Sequence, residues 1–168
     1  KYLDGLSGVA VNTLGHNHPA LVKAISEQAS KLIHISNYYH IEEQLMLADV
    51  LVGISKLSSV FFCNSGCEAN EAAIKLARLH GHKLGIDTPN IIVMEGGFHG
   101  RTMGTLSASG GRKYQAGFEP LMPGFIRVPY DDIAALKKIA VQKNKISAIL
   151  IEPIQGEGGV NIPDNFNV

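Results

Sequence analysis

The chain carries no surplus of either charge, because fifteen Lys and Arg residues stand against fifteen Asp and Glu. A nucleic-acid footprint or an anionic membrane surface would call for a basic excess, so neither partner is expected. Long hydrophobic runs are missing as well. Ile91 to Met94 and Ala148 to Ile151 are among the longest, far below the ~18 residues of a membrane span. No signal-peptide pattern follows Lys1. Cysteine is scarce, with only Cys63 and Cys67, which excludes a disulfide framework and favours a reducing, cytoplasmic setting. Neither His16 with His18 nor His80 with His82 stands at a metal-ligand spacing from these cysteines, so no metal site is expected. The G-x-x-x-x-G-K-[ST] and strand-linked G-x-G-x-x-G patterns are also absent, which disfavours a P-loop nucleotidase or a dinucleotide fold.

What is present is an ordinary globular composition, 45% hydrophobic and 18% charged over 168 residues, enough for a sizeable core. Apolar segments alternate between helical and strand-like patterns, punctuated by Gly and Pro. Pro19 suits the first position of a helix, with Leu21, Ile25, Ala29 and Leu32 recurring on one face. A second helix is expected from Glu42 to Ile54, with Leu45, Ala48, Leu51 and Val52 inward. Val60–Cys63 then reads as a strand, Glu68–Leu84 as a helix, Ile91–Met94 as a strand and Arg101–Ser109 as a helix start. Phe125–Val128 reads as a strand, Asp131–Gln142 as a helix with Ile133, Leu136 and Ile139 inward, and Ser147–Ile151 as a strand. The expected class is α/β, a mainly parallel sheet flanked by helices, with ligand groups at the carboxyl ends of the strands.

Three strand ends run into polar or glycine-rich segments. The first, Asn64-Ser65-Gly66-Cys67, opens a helix whose first amides lack intrahelical partners and whose dipole favours an anion such as phosphate. The same groups also make an ordinary capped helix, and both readings stand at this point. Cys67 at the helix start is either a small residue in a tight turn or a thiol of lowered pKa. The second strand end gives Gly96-Gly97-Phe98-His99-Gly100-Arg101, and the last gives Glu152-Pro153-Ile154-Gln155-Gly156-Glu157. Together they offer an anion cradle, an aromatic face, a guanidinium and two carboxylates on one sheet edge.

These segments resemble the class III pyridoxal-phosphate aminotransferases, and within them the acetylornithine aminotransferases. The resemblance runs in order through GVAVNTLGHNHP (residues 8–19), NSGCEANEAAIKLAR (64–78), GGFHGRT (96–102) and EPIQGEGG (152–159), nearly the whole chain. It implies part of a fold-type-I large domain, with 1–40 leading in and 41–168 as the cofactor-binding domain. It implies pyridoxal 5'-phosphate held at Ser65, Gly66 and Cys67, with Phe98 stacked on the ring and His99 helping to seat it. Arg101 matches the residue that grips the substrate carboxylate, and Glu157 a carboxylate that pairs with a later arginine. Glu152 is expected to position its neighbours, and Tyr38, Tyr39 and His40 lie where substrate-facing residues occur.

The implied reaction is transfer of an amino group between N-acetylornithine and 2-oxoglutarate, with glutamate as the other product, in a cytoplasmic homodimer. Ornithine, succinylornithine or 4-aminobutyrate as donor is the nearest alternative, and a non-catalytic phosphate-binding module the more distant one. No lysine here matches the Schiff-base lysine of the family: Lys75, Lys113, Lys137 and Lys138 stand in unrelated contexts. The chain is therefore expected to be a fragment truncated before that lysine, and inactive by itself.

Overall fold

The computed structural model describes residues 1–141 and 145–164. It divides into two compact units, Lys1–Val60 and Phe61–Val168. The sequence reading places the start of the cofactor-binding domain at residue 41, whereas this division falls between Val60 and Phe61.

In the first unit, Ser7–Ala10 forms one turn, α1, with positive φ at all four residues. Asp4 braces this unusual turn: its carboxylate accepts from the Leu6 and Ser7 amides at 3.0 and 2.9 Å and meets His16 Nε2 at 2.8 Å. The His16 hydrogen bond, then those two amides, hold Asp4 below the ordinary carboxylate pKa. Pro19–Lys31 forms α2 with Pro19 at its first turn, as its fixed φ favours. A 3-10 turn spans Ser36–Tyr38, and Glu42–Ser55 forms α3 with Glu42 and Glu43 at its positive end. The expected inward face of α3 is partly corrected. Ala48, Leu51 and Val52 are half-buried, but Leu45 is exposed.

The second unit holds the sheet. Strands β1 (Asn90–Met94), β2 (Phe125–Val128) and β3 (Ile146–Leu150) run parallel in the order β2-β1-β3. Ile91 pairs with Phe125 on one side and Ala148 on the other. From Ile91 to Met94 the central strand is apolar without interruption because both of its faces are covered. Ile91 and Val93 pack on Ile74 of α4 (Gly66–Lys83) and Ala108 of α5 (Met103–Ala108). Ile92 and Met94 pack with Val128 against Leu136 and Ile139 of α7 (Ile133–Ala140). A one-turn helix, α6 (Arg112–Gln115), follows α5. At the far end of α4 the chain crosses closely, since a Cβ on Gly81 would lie 2.9 Å from Ser147 Cβ.

Two expectations are corrected here. Val60–Cys63 is not a strand, because it has no ladder partner among the described residues and a strand exists only through pairing. Ile133 is exposed rather than inward. A three-residue spacing drifts by roughly 60° per step around a helix with 3.6 residues per turn, so Ile133 has left the face that Leu136 and Ile139 share. Asp132 starts α7 by accepting from the Ala135 amide at 2.8 Å. Gln142, the expected end of this helix, lies outside the described residues.

Candidate functional site

All the candidate residues of the three strand-end segments fall in the second unit. At the start of α4, Ser65 is extended and its hydroxyl accepts from the Glu68 amide at 3.2 Å, while its carbonyl accepts from Ala69 N at 3.0 Å. The Glu68 carboxylate reaches back to the Asn64 amide at 2.7 Å, a variant of the capping box. The Gly66 and Cys67 amides are left without a partner among the described residues. A Cβ built on Gly66 meets nothing within 4 Å, so the space beside this residue is open. The capping reading is borne out by Ser65, and the cap leaves the Gly66 and Cys67 amides unused.

Cys67 faces back into the fold, and its thiol lies 3.3 Å from Thr105 Oγ1. That hydrogen bond first, and the Thr102 backbone next, lower its pKa to about 7, against a smaller opposing effect of burial. Because the thiolate is the reactive form, alkylation of Cys67 is expected to rise with pH through about 7. Thr105→Val should shift that midpoint upward, as read by mass spectrometry of iodoacetamide adducts over a pH series.

The loop after β1 is fixed by its glycines and by one glutamine. Gly96 has φ of 75°, and Gly97 donates to Met94 O at 3.3 Å. Gln155, 1% exposed, donates to Glu95 O at 2.7 Å and accepts from Asn161 Nδ2 at 3.1 Å. Its backbone exchanges two 3.0 Å bonds with Asn161. This buried amide ties the exit of β3 to the exit of β1. Gln155→Leu leaves buried polar groups unpaired and is expected to destabilise the chain by about 1–3 kcal/mol, measurable as a lower urea midpoint.

Glu152, half-buried, accepts from the Phe98 amide at 2.5 Å and so sets the height of that ring. Phe98 and Tyr114 meet in a T-shaped pair, with centroids 5.5 Å apart and planes at 67°, and the Arg101 guanidinium lies 5.4 Å from the Phe98 centroid. Tyr114 Oη donates to Glu157 at 2.6 Å. The structure therefore joins Arg101, Phe98, Tyr114 and Glu157 in one chain of contacts. Tyr114 was not singled out from the sequence. Its only signal there is its place just after the Gly110-Gly111 pair.

His99 is 4% exposed. Its amide donates to Ser109 Oγ at 3.0 Å and its carbonyl accepts from Asn70 Nδ2 at 2.9 Å, yet the ring Nε2 has no partner among the described residues. Burial pulls its pKa below the ordinary histidine value, with the Glu152 carboxylate pulling the other way. In the first unit Tyr38, Tyr39 and His40 are exposed. No three metal-ligating side chains cluster among the described residues.

Residues 1–167 match the family model for class-III aminotransferases. The chain belongs to this family. Over 163 residues it is 64% identical to an acetylornithine aminotransferase of Nitrosomonas europaea, a match covering 97% of this chain and 42% of that one. An acetylornithine aminotransferase of Methanocaldococcus jannaschii is 53% identical over 165 residues, 98% of this chain and 41% of that one. This class-III aminotransferase chain thus spans about two fifths of the length of the curated relatives it matches. A crystal structure of Toxoplasma gondii ornithine aminotransferase, described with pyridoxal phosphate at partial occupancy in its active site, superposes with a TM-score of 0.90 at 32% identity. That match covers 97% of this chain and 39% of that one. The parallel sheet flanked by helices is accordingly the fold-type-I architecture expected from the sequence.

Proposed function

We propose that this chain is the phosphate- and ring-holding part of an acetylornithine aminotransferase, which moves an amino group between N-acetylornithine and 2-oxoglutarate in arginine biosynthesis. The observation that carries this reading is the pair of Gly66 and Cys67 amides without a partner among the described residues, at the head of an 18-residue helix with open space beside Gly66. Two N–H groups and the helix dipole suit the phosphate of pyridoxal 5'-phosphate.

In this reading the Ser65 hydroxyl, already accepting from Glu68, has its own proton free to donate to a phosphate oxygen. Phe98, held by Glu152, presents its face to the ring and keeps the ring plane fixed. His99, neutral and buried, offers its unpartnered Nε2 to the same group. The bound cofactor supplies an electron sink for the substrate carbon. Arg101 takes the substrate carboxylate in its planar fork, which orients the bond to be broken. Glu157, held by Tyr114, stands ready for a basic partner. None of Lys75, Lys113, Lys137 or Lys138 is assigned as the cofactor-bearing lysine.

The domain reading, with 1–40 leading into a cofactor-binding domain over 41–168, belongs to the same proposal, as do a homodimer and a cytoplasmic location. Exposed apolar residues of α2 and α3, among them Val22, Ile25, Met46, Val50 and Ile54, support a subunit interface, and the two free cysteines support a reducing compartment. Among the described residues no helix is long and apolar enough to cross a membrane.

The donor is tested by assaying the full-length enzyme with N-acetylornithine, ornithine and 4-aminobutyrate against 2-oxoglutarate. N-acetylornithine is expected to give the highest kcat/KM. A clear preference for 4-aminobutyrate would overturn the choice of substrate.

A further inference from the structure

The Arg101 side chain makes no hydrogen bond or ion pair among the described residues; its contact is with the Phe98 ring. Its position is therefore set by the backbone on either side, and both sides are seized by one helix. Asn70 Nδ2 donates to the carbonyl of His99 at 2.9 Å. The carboxylate of Glu71 accepts from the Thr102 hydroxyl and, at 3.3 Å, from the Thr105 amide. Thr102 and Thr105 in turn cap α5 reciprocally. The loop lies tightly against α4: Gly100 has φ of 130° and a Cβ there would fall 2.6 Å from Cys67 Sγ, while a Cβ on Gly104 would fall 2.8 Å from Glu71 Oε2.

Asn70 and Glu71 lie one helical turn beyond Gly66 and Cys67, whose amides face the open cradle. The same helix thus offers an anion site from its first turn and clamps the arginine loop with its second. From this juxtaposition we infer that Asn70 and Glu71 are positioning residues that fix the distance between the phosphate cradle and the Arg101 guanidinium. They set where a substrate carboxylate sits relative to the cofactor without touching either ligand. The inference rests on the reading of Arg101 as the carboxylate grip. It explains why two polar residues stand side by side at the inner flank of a helix that otherwise buries Ile74 against the sheet: each meets a different flank of one loop.

The test uses the full-length enzyme loaded with pyridoxal phosphate. Glu71→Ala and Asn70→Ala are each expected to raise KM for the amino-acid substrate about tenfold or more, since small misplacements of a binding group are costly. Cofactor affinity and melting temperature should stay near wild type. Glu71→Gln keeps an acceptor oxygen for Thr102 and Thr105 and should restore KM, a rescue that removal of bulk alone would not give. Asn70→Ala removes a single bond and carries the test if Glu71→Ala does not yield soluble protein.

Arg101→Ala is measured in parallel. If it raises KM while Asn70→Ala and Glu71→Ala do not, the positioning role is overturned and the reading of Arg101 stands. If Arg101→Ala leaves KM unchanged, both fall. A loss of cofactor affinity and melting temperature in step with KM, without rescue by Glu71→Gln, would reduce the pair to structural residues and overturn the inference.

Discussion

Gly110→Ala is expected to destabilise this chain by roughly 3 kcal/mol, a large fraction of the ~5–15 kcal/mol that keeps a typical domain folded. The added Cβ would fall against the Gly96 amide nitrogen, 2.7 Å from the Met94 carbonyl oxygen and 2.9 Å from the Glu95 carbonyl carbon. These are backbone atoms at the exit of the central strand, where Met94 is 4% exposed and Val93 fully buried, so they have little room to retreat. Relief by moving residue 110 would stretch its 2.7 Å hydrogen bond to Gly97 O. The loop bearing Phe98 and Arg101 would shift with it. Gly53→Ala is the control: the site lies inside α3 with no atom within 4 Å of the new Cβ. That change should be neutral or stabilising by up to about 1 kcal/mol through helix propensity and a less flexible unfolded chain. Urea unfolding of the two variants beside wild type measures both effects, and a Gly110→Ala midpoint equal to wild type would show that the close approach does not exist.

Gly66→Val should do the opposite, leaving the fold and removing the ligand. The position carries no positive φ, and its Cβ direction is empty of protein. A valine there would pack on nothing and would stand over the Gly66 and Cys67 amides. Two hydrogen bonds to a charged phosphate contribute about 1.5–3 kcal/mol each, so losing even one or two of them predicts an affinity for pyridoxal phosphate lower by about 10²-fold. Absorbance titration of the full-length apoenzyme reads the affinity, and thermal melting without cofactor reads the fold. Unchanged affinity would remove the cradle from the account; a collapsed melting temperature would make Gly66 a folding residue instead.

Much of the architecture is legible in the sequence because it is local. The apolar run Ile91–Met94 is bounded by turn residues, and α4 and α7 carry capping side chains at Ser65 and Asp132. Where pairing decides, local pattern fails: Val60–Cys63 has the composition of a strand but no ladder. The candidate segments after β1 and β3 are legible as strand ends, since parallel sheets gather their loops at one edge, whereas Asn64–Cys67 follows a segment that is no strand among the described residues. How those ends are fastened is not legible. Gln155 reaches 60 residues back to Glu95, Tyr114 reaches 43 positions ahead to Glu157, and Asn70 holds His99 across 29. Such contacts depend on tertiary approach and leave no periodic trace. Glu152 lies between the two cases. Its place at a strand end suggests a positioning group, and only the structure supplies the partner, the Phe98 amide.

The most direct test of the proposed cradle is a crystal structure of the full-length enzyme grown with pyridoxal phosphate. The expected result is phosphate density within hydrogen-bond distance of the Gly66 and Cys67 amides and of Ser65 Oγ, with the pyridine ring against the face of Phe98. Phosphate held elsewhere, with those two amides bound only to water, would contradict it.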